Sequence, residues 1–327
     1  ISIVGAQAVN IQESILNAGI VAIHTNLNIE DSTLNAGLAA VNSNVALVNS
    51  TANAGVAQIN SQVVFIDVDD DGDADIAAAN STIKAANTGF GPGTVLQIEN
   101  SLLDVTGTPQ DDVVEVSLVG GGGNTVSINN GEGNDTIILN LNDAQSQVNL
   151  SDTGSMGNDS LKVFLRTSEN VQLSGRQVTS RNQSIVFDQG FESLLVAAEG
   201  QDDSATVAGD LAFSGQLEIS AATILVNANI AASQVVLNAG GDILQTAGST
   251  ILTPGAGGIL FNAGLQKPDA NITILGDVLS ERGAITFNAP NDVTIGSDAR
   301  IASAGKLTIH ADSNGDGSGS LVMLGDV

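Results

Sequence analysis

The chain has no cysteine, no tryptophan and no tyrosine, and only eight phenylalanines in 327 residues. Without thiols there is neither a disulfide framework nor a thiolate zinc site. With so few rings, a core has to be built from valine, isoleucine, leucine and alanine, side chains small enough to stack within a narrow layer. Basic residues are scarce too: nine lysines and arginines face 36 aspartates and glutamates, for a formal net charge of -27. That charge repels nucleic acid and anionic membrane surfaces and attracts cations. No apolar run reaches the 18 or so residues of a spanning helix, so no transmembrane segment is expected, and no signal peptide is recognisable. The chain opens at Ile1 without methionine and stops at Val327 just after the strand-like run Leu321 to Leu324. Neither end reads as a cap, so the parent protein is expected to continue on both sides.

What is present is a repeat. Asn-Ala-Gly stands at 17 to 19, 35 to 37 and 53 to 55, a period of 18 residues. Apolar positions keep the same register: Val9, Leu27, Val45 and Val63 form one row, Ile11, Ile29, Leu47 and Phe65 a second, and Ser14, Ser32 and Ser50 a third. A period near 20 residues is that of a solenoid coil, which buries its apolar face only against its neighbours. Eighteen residues are also five turns of α-helix, and Leu34, Leu38, Val41, Val45, Val48 and Ala52 follow four-three spacing. The alternation in Val9-Asn10-Ile11 and Leu27-Asn28-Ile29 favours a half-buried strand instead. Gly19, Gly37 and Gly55 are unfavourable inside a helix but suit a corner, where Asn17, Asn35 and Asn53 would stack. Coils averaging about 22 residues, stacked at about 4.8 Å, predict about 15 layers and a rod about 70 Å long.

Three segments follow. Residues 1 to 104 hold the 18-residue coils and an acidic insertion at 67 to 76. From 105 to 210 the period lengthens, with Asp112, Asp135, Asp159 and Asp203 each after a glycine-rich or polar turn. From 211 to 327 strands such as VVLNAG, ILFNAG, AITFNAP and KLTIHAD place Asn238, Asn262, Asn288 and His310 at equivalent positions. The fold class expected is all-β: a right-handed parallel β-helix, or β-solenoid, with inserted calcium-binding loops, as one continuous rod.

Carboxylates cluster where a cation would sit. Asp67, Asp69, Asp71, Asp73 and Asp75 put oxygens at loop positions 1, 3, 5, 7 and 9, with Gly72 at position 6. Alternate side chains then converge while glycine makes the sharp turn, as an oxygen-rich calcium site requires. Position 12 is Ala78 and not glutamate, so the loop resembles dockerin-like calcium loops more than an EF-hand. Asp312, Asn314 and Asp316, with Gly317 at position 6, form a second candidate.

Residues 1 to 66 and 211 to 327, with VNIQESILNAG, LNIEDSTLNAG and VVLNAGGDILQTAGSTI, resemble the β-helix repeats of filamentous-haemagglutinin-like adhesins of Gram-negative bacteria. The middle resembles the calcium-binding repeats of RTX-type exoproteins. Asn130 to Ile138 follows GGxGxDxUx with asparagine for the first glycine, and Gly157-Asn158-Asp159-Ser160-Leu161 keeps its latter half. This resemblance implies calcium at Asp135 and Asp159. It also implies an extracellular, cell-surface protein in which such segments form a secreted shaft. The partners implied are calcium, cell-surface glycans or other surface proteins, and lateral or end-to-end copies of the chain.

No serine-histidine-acid grouping can be assembled around His24 or His310. Because β-helices also carry polysaccharide lyases and hydrolases, Arg166, Arg176 and Arg181 beside Asp188 mark the alternative, an enzyme. The absence of tryptophan and tyrosine platforms weighs against it. The reading favoured by the sequence is a structural and interaction module.

Overall fold

The computed structural model describes residues 2–3, 8–23, 26–40, 45–48, 51–54, 63–65, 76–79, 82–85, 88–90, 95–120, 123–142, 145–152, 157–166, 170–200 and 202–327. Among these the protein is all-β, without helix, and its long ladders are parallel. It divides into two units, residues 1–161 with 182–190, and residues 162–181 with 191–327.

In the first unit one ladder begins with the strands Ala8–Gln12, Asn26–Glu30, Val45–Val48, Ile76–Ala79, Val95–Glu99, Val113–Val119 and Thr136–Leu141. A second contains Ile15–Ile23, Thr33–Ala40, Thr51–Ala54, Thr82–Ala85, Leu102–Thr106, Gly123–Asn129, Gln145–Ser151 and Gln183–Phe187. Parallel sheets are usually buried on both faces and read as continuous apolar runs. Here the strand Val113–Val119 alternates, Val114, Val116 and Leu118 going inside while Val113, Glu115, Ser117 and Val119 stay half-exposed. One face meets the core and the other water, which is what period-two patterning encodes.

Val9, Leu27 and Val45 stand in one register, as do Ile11, Ile29 and Leu47. The fourth members differ from expectation: Val45 pairs with Ile76 and Leu47 with Ala78. Val63–Phe65 pairs instead with Thr88–Phe90 in a separate two-stranded sheet. The chain between Val45 and Ile76 is long enough to add a strand on another side before returning, so the 18-residue period ends there.

Asn17, Asn35 and Asn53 do stand in one register, and Asn35 Nδ2 donates to Asn17 Oδ1 at 2.8 Å. They lie within strands and not at a corner, and Gly19, two residues after Asn17, falls at a register shift between Asn17 and Ile20. The corner is made one step earlier. Glu13, Asp31 and Asn100 take φ of 46°, 46° and 45°, a left-handed conformation unusual without glycine. Each is followed by a serine that fixes the turn: Ser14, Ser32 and Ser101 Oγ donate to the carbonyls of Gln12, Glu30 and Glu99 at 2.6 to 2.7 Å. Ser32 Oγ also accepts the amide of Ser14 at 3.0 Å, tying one repeat to the next.

The second unit has three parallel ladders. The first contains Phe191–Ala198, Gln216–Ala221, Gln234–Ala239, Ile259–Asn262, Ile285–Asn288 and Leu307–His310. The second contains Asn170–Ser174, Ser204–Val207, Thr223–Val226, Ile243–Gln245, Ile272–Ile274, Val293–Ile295 and Leu321–Met323. The third contains Leu211–Ala212, Ile230–Ala231, Thr250–Thr253, Asp277–Ser280 and Ile301–Ser303. One departure is antiparallel: Asn170–Ser174 turns through Gly175 onto Gln177–Thr179.

Core rows are branched aliphatics with a few rings. Phe261 and Phe287 are fully buried in register, their centroids 5.1 Å apart. Beside them Asn238, Asn262, Asn288 and His310 occupy one row, as their spacing predicts. Each bonds the previous layer: Asn262 Nδ2 to Asn238 Oδ1 at 2.9 Å, Asn288 Nδ2 to Asn262 Oδ1 at 2.8 Å, and His310 Nδ1 to Asn288 Oδ1 at 2.9 Å. At the base of the row Asn238 Nδ2 donates to Glu218 Oε1 at 3.1 Å.

Candidate functional site

The loop Asp67, Asp69, Asp71, Asp73, Asp75 lies outside the described residues. The other predicted acids are placed. Asp135 and Asp159 come together with Asp112 in a buried file, 2, 3 and 4 % exposed. Asp135 Oδ1 accepts the amide of Asp112 at 2.7 Å, and Asp159 Oδ1 accepts the amide of Asp135 at 2.7 Å. Asp112 Oδ2 closes its own turn, taking the amide of Thr108 at 2.8 Å and its hydroxyl at 2.9 Å. An adjoining file runs the other way: the amide of Asn134 donates to Asp111 Oδ1 at 2.8 Å and that of Asn158 to Asn134 Oδ1 at 3.0 Å.

These turns approach too closely for side chains. A Cβ on Gly131, where φ is 93°, would stand 2.3 Å from the carbonyl oxygen of Thr108. The glycines of the Asn130 to Ile138 stretch are thus explained by layer spacing, before any ligand is invoked.

Polar capacity is left over in this corner. Asp135 Oδ2 and both polar atoms of the Asn130 side chain are buried without a hydrogen-bond partner. Burial, reinforced by the charges of Asp159, Asp112 and Asp152, pushes the Asp135 carboxyl up to about 7, against the opposing bond from Asp112. Asp203, which shares the turn pattern, belongs to the second unit, where its Oδ2 accepts the amide of Gly200 at 2.7 Å.

Asp312, Asn314 and Asp316 fold into a compact exposed loop. Gly317 N donates to Asp312 Oδ1 at 3.0 Å, as the sixth residue of a calcium loop closes on the first, and Asn314 Nδ2 donates to Asp316 Oδ2 at 2.8 Å. Bonds from the Ser318 hydroxyl and amide hold the Asp316 carboxyl below its usual range. The two carboxylates and the Asn314 oxygen suit a hard cation, yet the loop's own donors already engage them. Among the described residues no group of three or more acidic, histidine or cysteine side chains is arranged to hold a metal.

Of the alternative basic cluster, Arg176 serves the fold: Nη1 donates to the Phe191 carbonyl at 2.7 Å, and the guanidinium sits 4.5 Å over the Phe213 ring. Arg166 lies 3.9 Å from Glu199 at the surface. Asp188 caps the amides of Asp152 and Gly190 in the first unit. A feature with no signal in the sequence is a groove of about 620 Å³ lined by Leu225, Asp242, Leu244, Asn271, Thr273 and Asp292 among others. It forms where outward residues of neighbouring strands meet, and pairing register is what brings them together.

The chain matches no protein-family model, no curated protein and no solved structure.

Proposed function

We propose that this chain is a structural and interaction segment of a secreted bacterial surface protein, a right-handed parallel β-helix stiffened by calcium. The observation that carries the reading is the stacking of like on like. Asparagine sits on asparagine in two separate rows, and aspartate on aspartate in a third, in parallel ladders whose stacked residues recur at intervals of 18 to 26 residues. Such rows suit a shaft or surface layer built from repeated coils, whose outer faces are free to contact glycans, other surface proteins or further copies. Calcium is assigned to the 67 to 75 loop and to Asp312, Asn314 and Asp316, with Asp135 and Asp159 as a further pair. The engagement of Arg176 by Phe191 and Phe213 argues against its use as a catalytic group.

The test is incubation of the purified chain with acidic polysaccharides, alongside thermal unfolding with calcium or chelator. The expected result is no depolymerisation and a calcium-dependent rise in the unfolding midpoint. Depolymerisation by the chain itself overturns the non-enzymatic reading, and an unchanged midpoint removes calcium from it.

A further inference from the structure

We propose that the groove beside Leu225 and Leu244 holds an extended segment of another protein, one that carries basic residues. The inference rests on the reading of the chain as an interaction segment and names, for one surface, the chemistry of the partner. The groove, of about 620 Å³, lies on the outer face of four successive strands, Thr223–Val226, Ile243–Gln245, Ile272–Ile274 and Val293–Ile295. Each of them is paired on both sides, so the groove belongs to the flank of the ladder.

Its walls differ in chemistry. Leu225 and Leu244 stand in one register on the outward face, Leu225 half-buried and Leu244 36 % exposed, where strand alternation calls for polar residues. Their row continues as Thr273 and Thr294. These two threonines and Thr223 line the groove, and none of the three hydroxyls has a hydrogen-bond partner among the described residues. Asp242, Asn271 and Asp292 form the rim, each one residue ahead of a strand. Asp242 Oδ1 accepts the amide of Asn271 at 2.7 Å, Asn271 Oδ1 accepts the amide of Asp292 at 3.1 Å, and Asp292 Oδ1 accepts the amide of Ser320 at 2.8 Å. These bonds anchor both aspartates through one oxygen, and Oδ2 of each has no partner among the described residues. Two layers separate the two carboxylates, roughly 10 Å at strand spacing.

No basic residue lines the groove; Lys267 passes Gly241 on the neighbouring turn but stays outside it. Two anchored carboxylates beside an apolar row call for cationic heads on apolar stems, which lysine and arginine supply. In an extended peptide, residues i and i+2 share a face about 7 Å apart, and long side chains reach the few ångströms that remain. Their stems cover the leucines while the peptide backbone meets the threonine hydroxyls. A second copy of this chain fits poorly, having nine basic residues against 36 acidic ones. A neutral glycan leaves both carboxylates uncompensated.

The experiment is fluorescence anisotropy of a labelled pentapeptide of alternating lysine and threonine, titrated with the full chain at low salt, where screening is weak. Asp242→Asn with Asp292→Asn keeps both Oδ1 acceptors and removes two charges. Glu281→Gln with Asp298→Asn removes two charges at exposed positions outside the groove and is the control. The groove pair should weaken binding about tenfold and the control pair less than about twofold, each variant being checked by circular dichroism. Leu244→Lys, which leaves the rim intact, puts the ligand's own charge into the groove and should abolish binding, so the test stands even if the groove pair does not fold. No binding by wild type, equal weakening by the two pairs, or undiminished binding by Leu244→Lys overturns the proposal. A neutral oligosaccharide that displaces the peptide would overturn it in favour of a glycan. Polysaccharide turnover would sink the non-enzymatic reading without altering these peptide affinities.

Discussion

Asp135 accepts the backbone amide of Asp112 through Oδ1 at 2.7 Å, while its other carboxylate oxygen is buried with no partner at all. One oxygen holds two layers together and the other is a liability when charged.

A pH dependence follows. The Asp135 carboxyl rises from 3.8 to about 7 on folding, so between those values the folded state keeps a proton that the unfolded state has released. Stability contributed by this group is complete below about pH 4 and lost as pH climbs towards 7, by at most about 1.4 kcal/mol per pH unit. Asp135→Asn keeps the Oδ1 acceptor and removes the charge. Urea unfolding across this range should show a decline in wild type that is flattened in the variant; parallel pH profiles would exclude Asp135 as its origin.

Calcium should stabilise the chain through the 67 to 75 loop. If a site binds only the folded state, saturation at about 100 times the dissociation constant adds about 2.7 kcal/mol. Asp69→Ala with Asp71→Ala should abolish that increment and leave the chelated protein as stable as before or slightly more so. Asp312→Ala with Asp316→Ala reports the second loop separately. Thermal unfolding of the three proteins, with excess calcium and with chelator, distinguishes the loops, and equal shifts in all three would show that neither is the site.

Asn262 both gives and takes in its row. Replacement by alanine strands Asn238 Oδ1 and Asn288 Nδ2 in a partly buried position, a loss of about 1–3 kcal/mol. Asn262→Asp should be worse near neutral pH, because a carboxylate oxygen then faces Asn238 Oδ1, and part of the difference should recover in acid. Denaturant midpoints at two pH values measure this; an aspartate variant as stable as wild type would mean that the row contributes nothing.

Gly131→Ala places a methyl group 2.3 Å from the Thr108 carbonyl at a φ of 93°. It should destabilise the first unit by about 1–3 kcal/mol, the scale of a strained backbone position. Gly123→Ala, where a Cβ meets nothing within 4 Å, is the control and should be near neutral. Similar losses in both would point to chain entropy and not to the layer contact.

The rows were legible where side-chain identity repeats. Asn238, Asn262, Asn288 and His310 align although their spacings of 24, 26 and 22 differ, because turns absorb length and strands do not. Val9, Leu27 and Val45 are legible for the same reason, and Val63 leaves their row because period alone does not reveal an added strand. The corner is not legible in this way. The glycines point to a left-handed turn of their own, whereas Glu13 and Asp31 adopt it, held by serine-to-carbonyl bonds that composition does not display. For Asp112, Asp135 and Asp159 the spacing announces a row, but not that the carboxylates of Asp135 and Asp159 each bond an amide of the preceding layer while that of Asp112 closes its own turn.

The bond from Asn238 to Glu218 decides something four layers away. A carboxylate has only lone pairs to offer, so Asn238 must turn its NH₂ towards Glu218 and its oxygen towards Asn262. Asn262 and Asn288 are then forced into the same sense, and the last oxygen, on Asn288, meets His310. That oxygen can only accept, so Nδ1 of His310 carries the hydrogen, and in the neutral ring Nε2 keeps the lone pair. One anion thus selects the tautomer of an imidazole with which it shares no contact, through amides that cannot be flipped one at a time.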